Sequence, residues 1–144
     1  MTSNPLEVIE RLARVTSDRD LDAIVACFAE DYLNQTPAHP LRGFRGRDQV
    51  RRNWGQILGG VPDLEAALLA TVVDGGTVWS EWLMSGTRRD GAEHEMRGVI
   101  IFEIEDGLIR AARFYLEPVE RDSGNVDDAV SRALTTAPDV GSLS

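Results

Sequence analysis

The sequence predicts an α+β domain, with three amphipathic helices first and a curled antiparallel sheet after them. Two observations carry this. Apolar residues recur at helical spacing as far as Gly59-Gly60, then at strand spacing from Leu64 onward. The strand half is cut by Gly75-Gly76, Asp90-Gly91 and Asp106-Gly107 into four strands of about ten residues, the pattern of a meander.

The first helix opens at Asn4-Pro5-Leu6-Glu7: a capping side chain, a proline at the first helical position and a glutamate three beyond the cap. Leu6, Ile9, Leu12 and Ala13 then share a face until Thr16. In the second helix Leu21, Ile24, Val25 and Phe28 form a narrow apolar stripe, with Cys27 inside the helix. "EDYLNQT" turns extended, and Pro37 and Pro40 prevent helix and hold Thr36 and His39 extended. Gly46 releases the chain into a third helix, where Val50, Trp54, Ile57 and Leu58 face one way until Gly59-Gly60.

The predicted strands are "LEAALLATVV", "TVWSEWLMSGT", "EMRGVIIFEIE" and "LIRAARFYLEP". Val126, Ala129, Val130, Ala133 and Leu134 then make a short C-terminal amphipathic helix before a frayed "TTAPDVGSLS". The expected organisation is one domain over 1–120 and a helix with a flexible tail over 121–144.

Composition narrows the chemistry. With 15 basic and 24 acidic residues, the net charge of −9 repels phosphate backbones and anionic membranes, so no nucleic acid or membrane partner is expected. No apolar run approaches a membrane span and no signal peptide opens the chain, which predicts a cytoplasmic protein. Every basic residue is arginine, so no lysine can form a Schiff base. The single cysteine, Cys27, reads as a small buried thiol and rules out an internal disulfide. Two histidines, with no HExxH or paired CxxC, make no metal site, and no glycine-rich phosphate loop or nucleophile elbow is present. No cofactor is expected. What remains is cofactor-free acid–base chemistry, or binding without chemistry.

"FAEDYLNQTP", "GFRGRDQVRRNW", "SEWLMSGT" and "GVIIFEIEDGLIRAARFYLEP", in this order after the first helix, resemble the SnoaL-like, nuclear-transport-factor-2-like superfamily over residues 5–118. The resemblance implies a conical half-barrel with an apolar pocket between helices and sheet, often in a homodimer. Members include polyketide cyclases, a steroid isomerase, limonene epoxide hydrolase, dehydratases and pure binders. In ketosteroid isomerase the proton-shuttling carboxylate precedes a proline after the second helix, a place matched by Thr36; its hydrogen-bonding acid is matched by Ile100. The epoxide hydrolase uses a Tyr and an Asn on the early strand, where this chain offers Asn34 and Thr36. Its Arg and Asp fall on Trp82 and Met84, and its final Asp on Phe114. The charged groups of both mechanisms are missing.

Strand alternation puts Ser80, Trp82 and Met84 on one face and Trp79, Glu81, Leu83 and Ser85 on the other. For the last two strands, a two-residue Asp106-Gly107 turn would set Gly98 opposite Tyr115. A bulge at Gly107 would set Gly98 opposite Phe114 and Arg97 opposite Tyr115. The second register is preferred, because it gathers Met96, Gly98, Ile100, Ala112, Phe114 and Leu116 on one apolar face. Glu95, Arg97, Arg113, Tyr115 and Glu117 then share the other.

Trp54, Ser80, Trp82, Met84, Gly98, Phe114 and Leu116 would line a pocket for a hydrophobic small molecule, such as an oxygenated polyketide or terpenoid; plain core packing is the alternative. His39 is the candidate general base, with Asn34 or Thr36 polarising a substrate oxygen. The plainer reading makes His39 a surface-loop residue. Glu81 and Tyr115 read either as outer-face residues beside Arg97 and Glu117, in a homodimer interface with Val99 and Ile101, or as a buried acid and its donor. Arg42, Arg45, Arg47, Arg51 and Arg52 read as a solvated face, an anionic substrate group being the other use.

Overall fold

The computed structural model describes residues 4–135. In chain order these form α1 (Pro5–Ser17), α2 (Leu21–Ala26), β1 (Phe28–Gln35), a single 3-10 turn (Pro40–Arg42), β2 (Phe44–Arg45) and α3 (Arg47–Gly60). Then come β3 (Glu65–Asp74), β4 (Thr77–Thr87), β5 (Glu93–Glu105), β6 (Leu108–Pro118) and α4 (Val126–Thr135). The strands build one curved, open sheet in the order β2-β1-β6-β5-β4-β3. The α+β plan is the one the sequence predicts, and no described helix is long and apolar enough to cross a membrane. Of the expected tail, residues 136–144 lie outside the described ones.

α1 begins as its sequence dictates, with the Asn4 side chain accepting from the Leu6 N–H at 2.9 Å and Pro5 in the first turn. Val8, Ile9 and Leu12 of α1, Ile24 and Val25 of α2 and Val50 of α3 are buried. They form one core with Val78, Trp82, Ile100, Phe102, Ile109 and Ala112 from the sheet. α4 buries none of its residues.

Local expectations are corrected at α2 and at Pro40, and one short strand is added. α2 stops at Ala26, so Cys27 caps it and Phe28 opens a strand. The apolar spacing at Phe28 fits a helix, but pairing with the last strand prevails: Phe28 lies beside Ile109, whose N–H donates to the Cys27 carbonyl at 2.8 Å. Pro40 does not exclude all helix; with its fixed φ it starts the 3-10 turn. β2, two residues long, pairs with β1 and is too short to show any periodicity.

The remaining correction concerns the sheet. The predicted antiparallel meander is present as β3 to β6, but β1 joins β6 in parallel, which makes the whole sheet mixed. At the β5–β6 hairpin Asp106 and Gly107 both have positive φ (55° and 76°), the geometry of a two-residue primed turn. The extra residue is Arg110 in β6, between the pairs Glu103–Ala111 and Ile104–Ile109, and not Gly107. Gly98 therefore faces Leu116, Ile100 faces Phe114, and Arg97 faces Glu117. This is two residues from the preferred register, and a slip of two leaves every side chain on its expected face.

Candidate functional site

A cavity of about 360 Å³ lies between α3, β1 and the inner sheet face. From β1 it receives Phe28, Tyr32 and Asn34, and from just beyond its end Thr36. From α3 come Val50, Asn53, Trp54 and Ile57, spaced i, i+3, i+4 and i+7 so that one helix face lines the space. The sheet adds Met84, His94, Met96, Phe114 and Leu116, while Arg42, Phe44 and Leu64 complete the wall.

The polar groups are few and organised. Tyr32 is fully buried, its ring edge-on to Phe28 with centroids 4.8 Å apart, and its hydroxyl donates to Asn34 Oδ1 at 2.8 Å. Burial drives the Tyr32 pKa far up, so the phenol keeps its proton. With Oδ1 occupied, the Asn34 amide nitrogen has no partner among the described residues and is polarised by the bond behind it. Asn53 Oδ1 accepts from Gln49 Nε2 at 2.7 Å. His94, half-buried, has its pKa lowered by desolvation and then by the nearby Arg88 cation, which keeps the imidazole neutral at neutral pH. Among the described residues no carboxylate lines the cavity and no three His, Cys, Asp or Glu side chains converge.

Of the residues singled out in sequence, Asn34, Thr36, Trp54, Met84, Phe114 and Leu116 meet at this cavity. Trp82 and Ser80 do not: they lie behind the wall in solid core. Trp82 Nε1 donates to Ser80 Oγ at 2.8 Å, and Ser80 donates on to the Ile100 carbonyl at 2.6 Å. Gly98 also falls outside. It is a point of close backbone approach, where an added Cβ would lie 2.1 Å from the Tyr115 carbonyl oxygen.

His39 is separated from the cavity. The turn started by Pro40 carries its ring to the far side of β6, where Nε2 lies 3.2 Å from Glu117 Oε2 and the side chain is 37% exposed. Glu81 and Tyr115 also point away, because strand alternation puts them on the outer face. There Glu81 lies 3.6 Å from Arg97, and Tyr115 is exposed. Tyr32, His94, Asn53 and Phe44 line the cavity although sequence reasoning gave them no part in a site, and Arg42, read as part of a solvated face with an anionic substrate group as its other use, lines it too. Alternation held the signal for two of them: Tyr32 has the parity of Asn34, and His94 that of Met96. The bonded pair on β1 is thus Tyr32 and Asn34, one step earlier than Asn34 and Thr36.

A family model described as a SnoaL-like domain matches residues 9–112. No curated protein matches the chain. Among solved structures, an epoxide hydrolase of M. tuberculosis described as LEH-like superposes with a TM-score of 0.67 at 18% identity, covering 78% of this chain and 82% of that one. SalBIII, an epoxide hydrolase/cyclase-like enzyme of pyran ring formation in the polyether salinomycin, gives 0.68 at 17%, covering 80% and 90%. A computationally designed 17-OHP binder gives 0.68 at 19%, covering 83% and 100%. At these identities the likeness is one of fold.

Proposed function

Because this chain belongs to the SnoaL-like domain family, we propose that it is a cofactor-independent enzyme of the cyclase, isomerase or hydratase type. It takes a hydrophobic, oxygenated small molecule, of polyketide or terpenoid character, into the cavity beneath α3. The observation that carries this reading is the polarised Asn34 amide, unpartnered among the described residues, in the same apolar cavity as the neutral His94 imidazole. His94 takes a proton from carbon next to a substrate carbonyl, and the Asn34 amide donates to the enolate oxygen that develops. Return of that proton at another carbon gives an isomer. Attack by the enolate carbon on an electrophile in the same molecule closes a ring, with the proton returned to the leaving oxygen.

The test is turnover of a β,γ-unsaturated ketosteroid, limonene oxide and a β-diketone, followed by chromatography. His94→Gln is expected to slow any observed turnover by about a hundredfold or more, and His39→Ala to leave it unchanged. Turnover indifferent to His94→Gln removes the imidazole from the mechanism.

A second reading is favoured by the carboxylate-free lining: a protein that binds such a molecule without transforming it. Native mass spectrometry of freshly purified protein separates the two. A retained, chemically unaltered ligand with no turnover of any of the three probes supports the binder. On either reading the protein pairs with a second copy through its outer sheet face, where Val72 is 67% exposed, Trp79 50% and Tyr115 41%.

A further inference from the structure

The arginines around the start of α3 are not equivalent. Arg45 Nη1 donates to the Asp31 carbonyl at 3.1 Å and Arg47 Nε to the Phe28 carbonyl at 2.8 Å. Arg51 pairs with Asp22 at 2.9 Å, and Arg52 donates to Gln49 Oε1. Arg42 differs on both counts. It alone of the five lines the cavity, and its guanidinium has no partner among the described residues. The surroundings sharpen the contrast. The wall facing it carries aromatic and aliphatic groups, the neutral Asn34 and Asn53, and His94, with no carboxylate to neutralise the cation.

We propose that the ligand of this cavity carries a carboxylate on an apolar body, and that Arg42 receives that carboxylate. The inference rests on the reading of the cavity as the ligand site and deepens it. A guanidinium presents paired N–H donors that match a carboxylate in two bonds, and Arg42, exposed at the cavity, can reach a carboxylate that stays at the solvent side. The whole chain opposes such a ligand: a net charge of −9 repels anions at long range. A single unneutralised cation at the cavity is then what lets an anionic amphiphile in and fixes which end enters last. His94 adds to the same preference. Burial first, and then the Arg88 cation, disfavour its protonation, and a bound carboxylate would raise its pKa back toward the ordinary range.

The experiment compares naphthoate with naphthamide, equal in shape and differing in charge, by fluorescence titration at neutral pH. Naphthoate is expected to bind about tenfold more tightly than naphthamide at low salt, with the ratio shrinking in molar salt. Arg42→Gln should reduce the ratio to near one without changing naphthamide affinity, and Arg42→Lys should restore part of it. Arg52→Gln, on α3 but outside the cavity lining, should leave the ratio untouched. Arg42 holds no other described residue by hydrogen bond or ion pair, and a melting curve for each variant should match that of the wild type. Equal binding of both probes to the wild type, or a ratio unmoved by Arg42→Gln, overturns the inference and leaves the cavity as a ligand site. If neither probe binds, both the inference and the reading beneath it fall.

Discussion

At the scale of single residues, the two histidines show how position decides chemistry. His39 sits in a proline-rich stretch that looks built to hold a side chain still, yet its ring pairs with Glu117 in solvent. His94 sits unmarked in a strand and points into the cavity. The sequence holds the parity that places His94, but nothing local distinguishes a loop histidine above a site from one beside it, because that depends on which strand the loop crosses. Burial gives His94 a measurable consequence. Its pKa is lowered in the folded protein, so the unfolded chain binds that proton more readily. Above the ordinary value of 6.5 both states are neutral and His94 leaves stability unchanged. As pH falls below it, the unfolded state takes up the proton first and stability declines. The wild type should therefore lose more unfolding free energy between neutral and mildly acidic pH than His94→Gln does, by urea titration. Identical losses would mean that the imidazole is not desolvated in the fold.

At the scale of elements, the two long strands that flank β5 were legible to the residue, and the pairing of β5 with β6 was not. β4 and β6 begin and end where alternation and the Gly-containing turns put them. The faces are right too, since burying charge is costly enough to reject any odd slip. The exact pairing was hidden because turn and bulge trade off: an extra residue at Gly107 or at Arg110 satisfies the same face pattern. Gly98 reports which pairing is real. In the observed register a methyl there would collide with the Tyr115 backbone, and that carbonyl cannot withdraw without opening the β5–β6 ladder. Gly98→Ala is expected to cost more than about 3 kcal/mol in chemical denaturation. Gly91→Ala, also at positive φ (91°) but with open space around it, should cost only about 1 kcal/mol. Equal costs would mean that β5 and β6 are not so close at Gly98. The second helix was over-read for a related reason: Phe28 fits an apolar stripe at either period, and only a strand some eighty residues later decides between them.

At the scale of the whole molecule, the inner sheet face is covered by α1 to α3, and the outer one is left with Trp79, Val72 and Tyr115 exposed among the ion pairs of Arg97 with Glu81 and Arg113 with Glu103. A two-fold pairing of such faces would bury the aromatic groups and set charges at the rim. Sedimentation should therefore show a dimer for the wild type and a monomer for Trp79→Arg, with thermal stability of the monomer largely kept because Trp79 lies outside the core. A wild type that sediments as a monomer at all concentrations removes the pairing. One seam in this architecture governs how the chain comes to be made. β1 is zipped in parallel to β6, so the strand that carries Tyr32 and Asn34 has no long neighbour until the last strand of the sheet is synthesised. A nascent chain leaving the ribosome must hold that segment open while α3 and three further strands are translated, and closure then waits on a contact distant in sequence. Truncated or stalled chains would present the Phe28–Gln35 edge bare, which makes incomplete translation products the form most prone to aggregate.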